Sequence, residues 1–163
     1  DKVGTAPGQI LESDGTFVGS HDGAHSFTVG QRRGLHLGAT TPDGRRRFVL
    51  EVRPVTNTVV VGPKEALALA EIAGSRFSWV GVPPEHPEQA FECEVQIRAH
   101  ADPVPAVARL VADDDGITEL VIRPVQPLIG VATGQTAVIY LGTRVLGQTT
   151  IDRTVSAVAA AGA

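Results

Sequence analysis

The stretch Phe91-Glu92-Cys93-Glu94-Val95-Gln96-Ile97-Arg98 carries the clearest periodicity in the chain. Its odd positions are apolar and its even positions are polar. A period of two places one set of side chains on a buried face of a β-strand and the other on a solvated face. Cys93 shares the apolar positions, so we expect its thiol to be a small core hydrophobe rather than a nucleophile or a redox group.

Short β-strands separated by turn residues are predicted on both sides of this stretch. The predicted strands are 9–12, 16–19, 26–29, 47–52, 58–61, 76–80, 105–111, 117–122, 136–141 and 144–151. Asp14-Gly15 and the acidic run 113–116 are typical of hairpin turns, and the turn explains that acidic run without a bound cation. One short helix is predicted over Lys64–Ala70, directly after Pro63. The pattern predicts a mainly all-β fold that includes a small barrel.

Composition sets the domain organisation. A chain of 163 residues, of which 42% are hydrophobic, fits one or two small packed domains. We place a boundary near Gly74, which gives a first β-domain with its linker at 1–73, a second domain at 74–153 and a flexible alanine-rich tail at 154–163. The start at Asp1 without a methionine suggests an excised fragment or a processed chain. No apolar run is long enough to span a bilayer, so no membrane partner is expected.

Charge is distributed unevenly. The formal net charge of −4 argues against a surface that is positive throughout. Arginines nevertheless cluster at Arg32-Arg33 and at 45–47, so an anionic partner would be met locally. In Gly30-Gln31-Arg32-Arg33-Gly34-Leu35, glycines bracket two arginines, which can bring backbone amides and guanidinium groups to a phosphate-rich surface. A solvated surface turn is the alternative interpretation.

Other candidate sites are sparse. His21 and His25 have H-x3-H spacing, but the turn residues around Gly23 argue against the helix that would aim both at a zinc ion, so no metal site is predicted. The sequence contains no P-loop, GxGxxG, GxSxG or HExxH motif, and we predict no catalytic residues. Arg98 ends the alternating strand and Gln135 begins another. If both strand ends open onto one rim of the barrel, the two side chains could contact phosphate, base or ribose groups of an RNA. The alternative interpretation is that both side chains are simply solvated on that rim.

Several stretches resemble, in order and spacing, the C-terminal portion of bacterial tRNA-specific 2-thiouridylases. They are 6–10, 19–23, 27–35, 93–98, 133–140 and 146–147. The GQR-x-GL element at 30–35 is the most specific of them, and together they cover nearly the whole chain. The resemblance implies a small central β-domain with a short helix, followed by a six-stranded antiparallel β-barrel.

The resemblance also implies that catalysis belongs to a different domain of the full-length enzyme. In that family, an N-terminal PP-loop domain uses ATP and Mg to adenylate the wobble uridine U34 of certain tRNAs, and two cysteines there handle persulfide sulfur from a sulfur-relay donor protein. This sequence contains neither the PP-loop motif nor those cysteines. The resemblance therefore implies no catalysis and no cofactor for this fragment alone, activity only within a full-length tRNA-uridine 2-sulfurtransferase, and a cytoplasmic location.

The family's contacts with the anticodon stem-loop of tRNA fall on Arg98, Ala99 and Gln135, and we add Arg32 and Arg33 as further candidates. Ala99 stands where the family usually has tyrosine, so an aromatic contact is lost. Thr133 stands where proline is usual. A rival hypothesis makes the fragment a structural module that docks on the catalytic domain or a sulfur-carrier protein. A third, an independent small-barrel enzyme, lacks a catalytic constellation.

Overall fold

The chain forms two compact units, residues 1–67 and 68–163. The structure, a computed structural model, describes residues 6–37, 44–97 and 99–158. Strands dominate both units and the helical segments are short, so the prediction of a mainly all-β protein is confirmed. Within the described ranges, no helix is both long and apolar enough to cross a membrane.

The first unit is built on a four-stranded sheet of order β2-β1-β4-β3. The strands are β1 (Gly8–Glu12), β2 (Phe17–His21), β3 (Phe48–Arg53) and β4 (Thr58–Gly62). The β-branched run of β4 is buried along its whole length because it lies between β1, which is parallel to it, and β3, which is antiparallel. Its Val59 and Val61 pack with Ile10 and Val49 in the core of this unit.

Two predicted elements of this region are wrong. The strand expected at 26–29 is a 3-10 turn at Ala24–Ser26 followed by a loop, in which the Gln31 side chain occupies the backbone N–H of Thr28. The helix expected over Lys64–Ala70 is a 3-10 turn at Lys64–Leu67, followed by strand β5 (Ala68–Gly74). Good helix formers fill this segment, but Ile72 lies fully buried and pairs with Ile122, so tertiary pairing overrides local propensity.

The second unit is one antiparallel sheet that begins with β5. Its other strands are β6 (Phe77–Trp79), β7 (Phe91–Gln96), β8 (Val104–Ala112), β9 (Thr118–Pro124), β10 (Leu128–Ile129), β11 (Thr136–Leu141), β12 (Arg144–Thr150) and β13 (Arg153–Ser156). The strand order is β10-β5-β9-β8-β7-β11-β12-β6, with β13 paired to β5. Inward side chains of these strands form a single core that includes Cys93, as the alternation predicted.

The sheet returns on itself through β5 and β6. Strands β9, β8, β7, β11 and β12 lie side by side in that order. β5 pairs with β9 at one end of this row, and β6, which follows β5 after a bend at 74–76, pairs with β12 at the other end. One continuous segment therefore joins the two ends of the row. The Asp152 carboxylate accepts hydrogen bonds from the Ser75 N–H (2.8 Å) and the Ser75 Oγ (2.9 Å) at this bend. A Cβ on Gly74 would collide with the Thr150 carbonyl, so the bend requires glycine. Six strand positions thus surround the core, in agreement with the expected six-stranded barrel.

Two expected boundaries are displaced. Because β5 belongs to the second sheet, the units meet between Leu67 and Ala68 rather than near Gly74. The segment expected to begin a flexible tail instead forms β13, where Arg153 bonds Glu71 (3.0 Å) and Glu119 (2.9 Å). The β-strand pairing of Thr154–Ser156 with β5 is the physical reason that these residues are ordered.

Candidate RNA-binding site

The connection between β7 and β8 carries two of the predicted RNA contacts. Arg98 lies outside the described residues, and Ala99 is exposed in the turn that follows. Gln96, the last residue of β7, donates from Nε2 to the Ala101 carbonyl (2.6 Å) and accepts at Oε1 from the Tyr140 hydroxyl (2.9 Å). A side-chain relay from β11 across β7 therefore ties this connection to the barrel wall.

The third predicted contact, Gln135, belongs to a tight turn over residues 132–135. Its backbone N–H donates to the Ala132 carbonyl, and Gly134 has the positive φ (91°) that a type II turn needs at its third position. The Gly134 N–H donates to the Ile151 carbonyl (2.8 Å), and the Ile151 N–H donates to the Gln135 carbonyl (2.9 Å). These bonds form a glycine-type β-bulge against the residue that follows β12. Thr133 occupies the second position of the turn, where proline is favoured but not required.

The side chain of Gln135 is half committed to its own turn. Its Oε1 accepts from the Ala132 backbone N–H at 3.0 Å. An amide side chain has one acceptor oxygen and one donor NH₂ group, so what remains for a ligand is chiefly the Nε2 donor. Among the described residues none accepts a hydrogen bond from that Nε2. Gln135 is thus arranged to donate to an acceptor such as a phosphate oxygen or a base carbonyl.

The same turn recurs in the first unit at residues 28–31. Gly30 has a φ of 90°, and the Gln31 Oε1 accepts a hydrogen bond from the Thr28 N–H at 3.0 Å. The bulge lies opposite Val49: the Gly30 N–H donates to the Val49 carbonyl (2.8 Å), and the Val49 N–H donates to the Gln31 carbonyl (2.9 Å). The difference lies in the donor, because Gln31 Nε2 bonds the Arg33 carbonyl at 2.9 Å. Both halves of the Gln31 amide therefore hold the loop, so Gln31 is more fully committed to its own turn than Gln135.

The GQR-x-GL element is thus explained mainly as structure. Gly30 and Gly34 both have positive φ angles, and Leu35 is buried in the core. Arg32 and Arg33 are exposed on this clamped loop, and no described residue bonds their guanidinium groups. Sequence reasoning missed the clamp, although the Gly-Gln pairs at 30–31 and 134–135 were a visible signal for it.

Strand register brings part of the predicted site together. β7 and β11 are antiparallel neighbours in which Gln96 pairs with Val138. The end of β7 and the start of β11 therefore lie at the same end of the barrel. Ala99 follows the first and Gln135 precedes the second, so both belong to one rim. The prediction that Arg98 shares a rim with Gln135 falls on a residue outside the described ones and stays a prediction.

Comparisons with known proteins agree with this architecture. A family model described as "tRNA methyl transferase PRC-barrel domain" matches residues 1–63, and one described as "Aminomethyltransferase beta-barrel domain" matches residues 69–151. The chain is 66% identical over 158 residues to the tRNA-specific 2-thiouridylase MnmA of Leifsonia xyli subsp. xyli, which covers 97% of this chain and 42% of that protein. It is 65% identical to the MnmA of Clavibacter michiganensis subsp. michiganensis, covering 97% of this chain and 41% of the relative.

This chain belongs to the tRNA-specific 2-thiouridylase family. It corresponds to the C-terminal part of these relatives and spans about two fifths of their length. The division of the structure into two units, between Leu67 and Ala68, falls in the short interval between the two matched regions. The resemblance inferred from the sequence is therefore confirmed.

Two arginines on the outer wall of the barrel are neutralised by carboxylates of other strands. Arg123 and Arg153 both bond Glu71, at 2.7 and 3.0 Å, and Arg153 also bonds Glu119. Burial alone would raise the pKa of Glu71, but the hydrogen bonds from the two arginines hold it below its ordinary value. The charges of Arg123 and Arg153 are thus used between strands, whereas Arg109 and Arg144 are exposed and bond no described residue.

His21 of the family's Gly-Ser-His-Asp-Gly segment has a packing role. Its buried ring lies 5.2 Å from that of Phe27, and its Nδ1 accepts from the Gly23 N–H at 3.0 Å. A Cβ on Gly8 would meet this ring and the Asn57 carbonyl, which explains why glycine follows Pro7. Among the described residues, no group of three or more His, Cys, Asp or Glu side chains could hold a metal ion.

Proposed function

We propose that this chain is the tRNA-binding part of a 2-thiouridylase that thiolates the wobble uridine U34 at C2. In this proposal the chain holds the anticodon stem-loop in the cytoplasm. A PP-loop domain of the full-length enzyme uses ATP and Mg for the chemistry, with sulfur from a persulfide relay protein. The curated relatives carry the name tRNA-specific 2-thiouridylase over the region that this chain matches.

The observation that carries the proposal is the uncommitted donor of Gln135 on the rim that it shares with Ala99. The turn fixes the Gln135 amide before a ligand arrives, which reduces the entropy lost on binding. In this proposal Gln135 donates to an RNA acceptor, Arg98 contacts phosphate, and Ala99 contributes backbone or methyl contact. Arg32 and Arg33 supply additional phosphate contacts in the first unit.

The substitution Gln135→Glu in the full-length enzyme tests the polarity of this contact. Glutamate keeps the oxygen that the Ala132 N–H needs, but it replaces the Nε2 donor by a second oxygen and adds a negative charge. We expect tRNA affinity to fall about 10- to 100-fold, the range for losing a hydrogen bond to a charged acceptor. The melting temperature should stay within about 2 °C of that of the parent enzyme.

The matched control for this test is Gln89→Glu. It introduces the same charge in an exposed loop that precedes β7, at the opposite end of that strand. We expect wild-type tRNA affinity for this variant. Equal affinities for the Gln135 and Gln89 variants would contradict the role of Gln135.

A second candidate function is a docking module for the catalytic domain or for a sulfur-carrier protein, with negligible RNA binding by this chain alone. The net charge of −4 and the pairing of Arg123 and Arg153 with carboxylates favour it. The combined variant Arg98→Ala with Gln135→Glu in the full-length enzyme separates the two candidates. Unchanged tRNA affinity would leave docking as the better explanation.

A further inference from the structure

Cations of the first unit gather at one end of its sheet. The described residues up to Leu67 include seven Lys and Arg residues, and all except Arg53 are at or beside the start of β3. They are Arg32, Arg33, Arg45, Arg46, Arg47 and Lys64.

Three structural features bring these cations together. Residues 45–47 lead directly into β3, whose first residue, Phe48, pairs with Gly62 at the end of β4, two positions before Lys64. The bulge at Gly30-Gln31 pairs with Val49 in the antiparallel direction, which carries the following arginines toward the start of β3.

Two of the six cations serve the fold. Arg47 is buried, its Nε bonds Glu12 Oε1 at 2.6 Å, and its Nη1 donates to the Arg45 carbonyl at 3.2 Å. Arg45 Nη2 pairs with Glu65 at 2.8 Å. These bonds use both carboxylates and fix the backbone on either side of Arg46.

The other four cations are presented to solvent. Arg32, Arg33, Arg46 and Lys64 are exposed, and no described residue forms a hydrogen bond or ion pair with their side chains. Arg32 and Arg33 stand on the loop that Gln31 clamps, and Arg46 stands between two anchored arginines. The backbone under these cations is therefore ordered before any ligand binds, which lowers the cost of binding.

We propose that Arg32, Arg33, Arg46 and Lys64 form a phosphate-binding surface for the RNA backbone, in addition to the contacts proposed for the barrel rim. This inference rests on the proposed tRNA-binding function and adds a second, sequence-independent anchoring point to it. Guanidinium forks match phosphate oxygens, and such contacts position an RNA without reading its bases. RNA is preferred over an acidic protein because it is the polyanion that the proposed function already brings to this chain.

The test is a titration of the 163-residue chain with tRNA over a range of salt concentrations. The variants are Arg32→Gln/Arg33→Gln, Arg46→Gln/Lys64→Gln and the combination of all four. Each lost phosphate contact should reduce the slope of log affinity against log salt by roughly 0.7 to 0.9, so the combined variant should lose about 3. Its affinity at low salt should fall at least tenfold, and its circular dichroism and melting temperature should match those of the wild type.

The control is Arg109→Gln/Arg144→Gln, which removes two exposed arginines of the second unit that bond no described residue. It should keep the wild-type slope. The inference is overturned if the variant that lacks all four cations binds tRNA with wild-type affinity and slope. In that case, a loss of tRNA binding by Gln135→Glu would show that the proposed function still holds. A wild-type chain that binds no tRNA overturns both, and tighter binding of polyglutamate than of tRNA overturns RNA as the ligand.

Discussion

At the scale of single residues, Arg47 and Glu12 join the start of β3 to the end of β1 through a buried ion pair. Their side chains are 7% and 14% exposed, respectively. Because breaking a buried ion pair is strongly destabilising, Glu12→Ala should destabilise the first unit by about 3 kcal/mol. Urea denaturation measures this change. The double variant Glu12→Leu/Arg47→Met should recover most of the loss, and a cost below about 0.5 kcal/mol for Glu12→Ala would contradict the burial of the pair.

Cys93 is a second prediction at this scale. Burial, together with the neighbouring charge of Glu94, raises the pKa of its thiol to about 11. The folded state therefore holds the thiol proton more tightly than the unfolded state, whose thiol titrates near about 8.5. The contribution to stability is present below that pH and is lost as the pH rises toward about 11.

Two measurements check this prediction. Iodoacetamide should alkylate Cys93 slowly in the folded chain and rapidly in urea at about pH 8.5. The free energy of unfolding should fall more steeply between about pH 9 and 11 in the wild type than in Cys93→Ala, which lacks the titrating group. Identical slopes for the two proteins would show that the thiol is not buried in the folded state.

At the scale of structural elements, the β7–β8 connection depends on the relay from Tyr140 through Gln96 to Ala101. Tyr140→Phe removes one neutral hydrogen bond and should cost about 1 kcal/mol locally. Hydrogen exchange of the amides at 99–101 should become roughly fivefold faster, while the amides of the β8–β9 hairpin serve as the internal control. Unchanged exchange at 99–101 would mean that the relay does not order the connection.

The elements also show where sequence patterns succeed and fail. Alternation placed β7 and the side of Cys93 correctly because one face of that strand is buried. The sequence pattern did not reveal β5, because its alanine-rich segment favours a helix locally. The strand forms because Ile72 pairs with Ile122, which is far away in the sequence. The sequence predicted a strand at 26–29 because no pattern revealed that a side-chain amide would take the Thr28 N–H.

At the scale of the whole molecule, two domains and a barrel could be predicted. The division of cations into structural and exposed sets could not. Arg45, Arg47, Arg123 and Arg153 look like their neighbours in the sequence, and only the folded chain shows the carboxylates beside them. For the same reason, the sequence could not show that Gln135 offers a ligand its donor rather than its acceptor. Its Oε1 already accepts a hydrogen bond from the backbone N–H three residues earlier.

The most direct test of tRNA binding by this chain is an equilibrium titration with tRNA at about 50 and 200 mM salt. With roughly five phosphate contacts, from Arg98 and the four exposed cations of the first unit, we expect binding at the lower concentration and an affinity that is about 100- to 500-fold weaker at the higher one. Absence of binding at low salt, or an affinity that does not change with salt, would contradict the account.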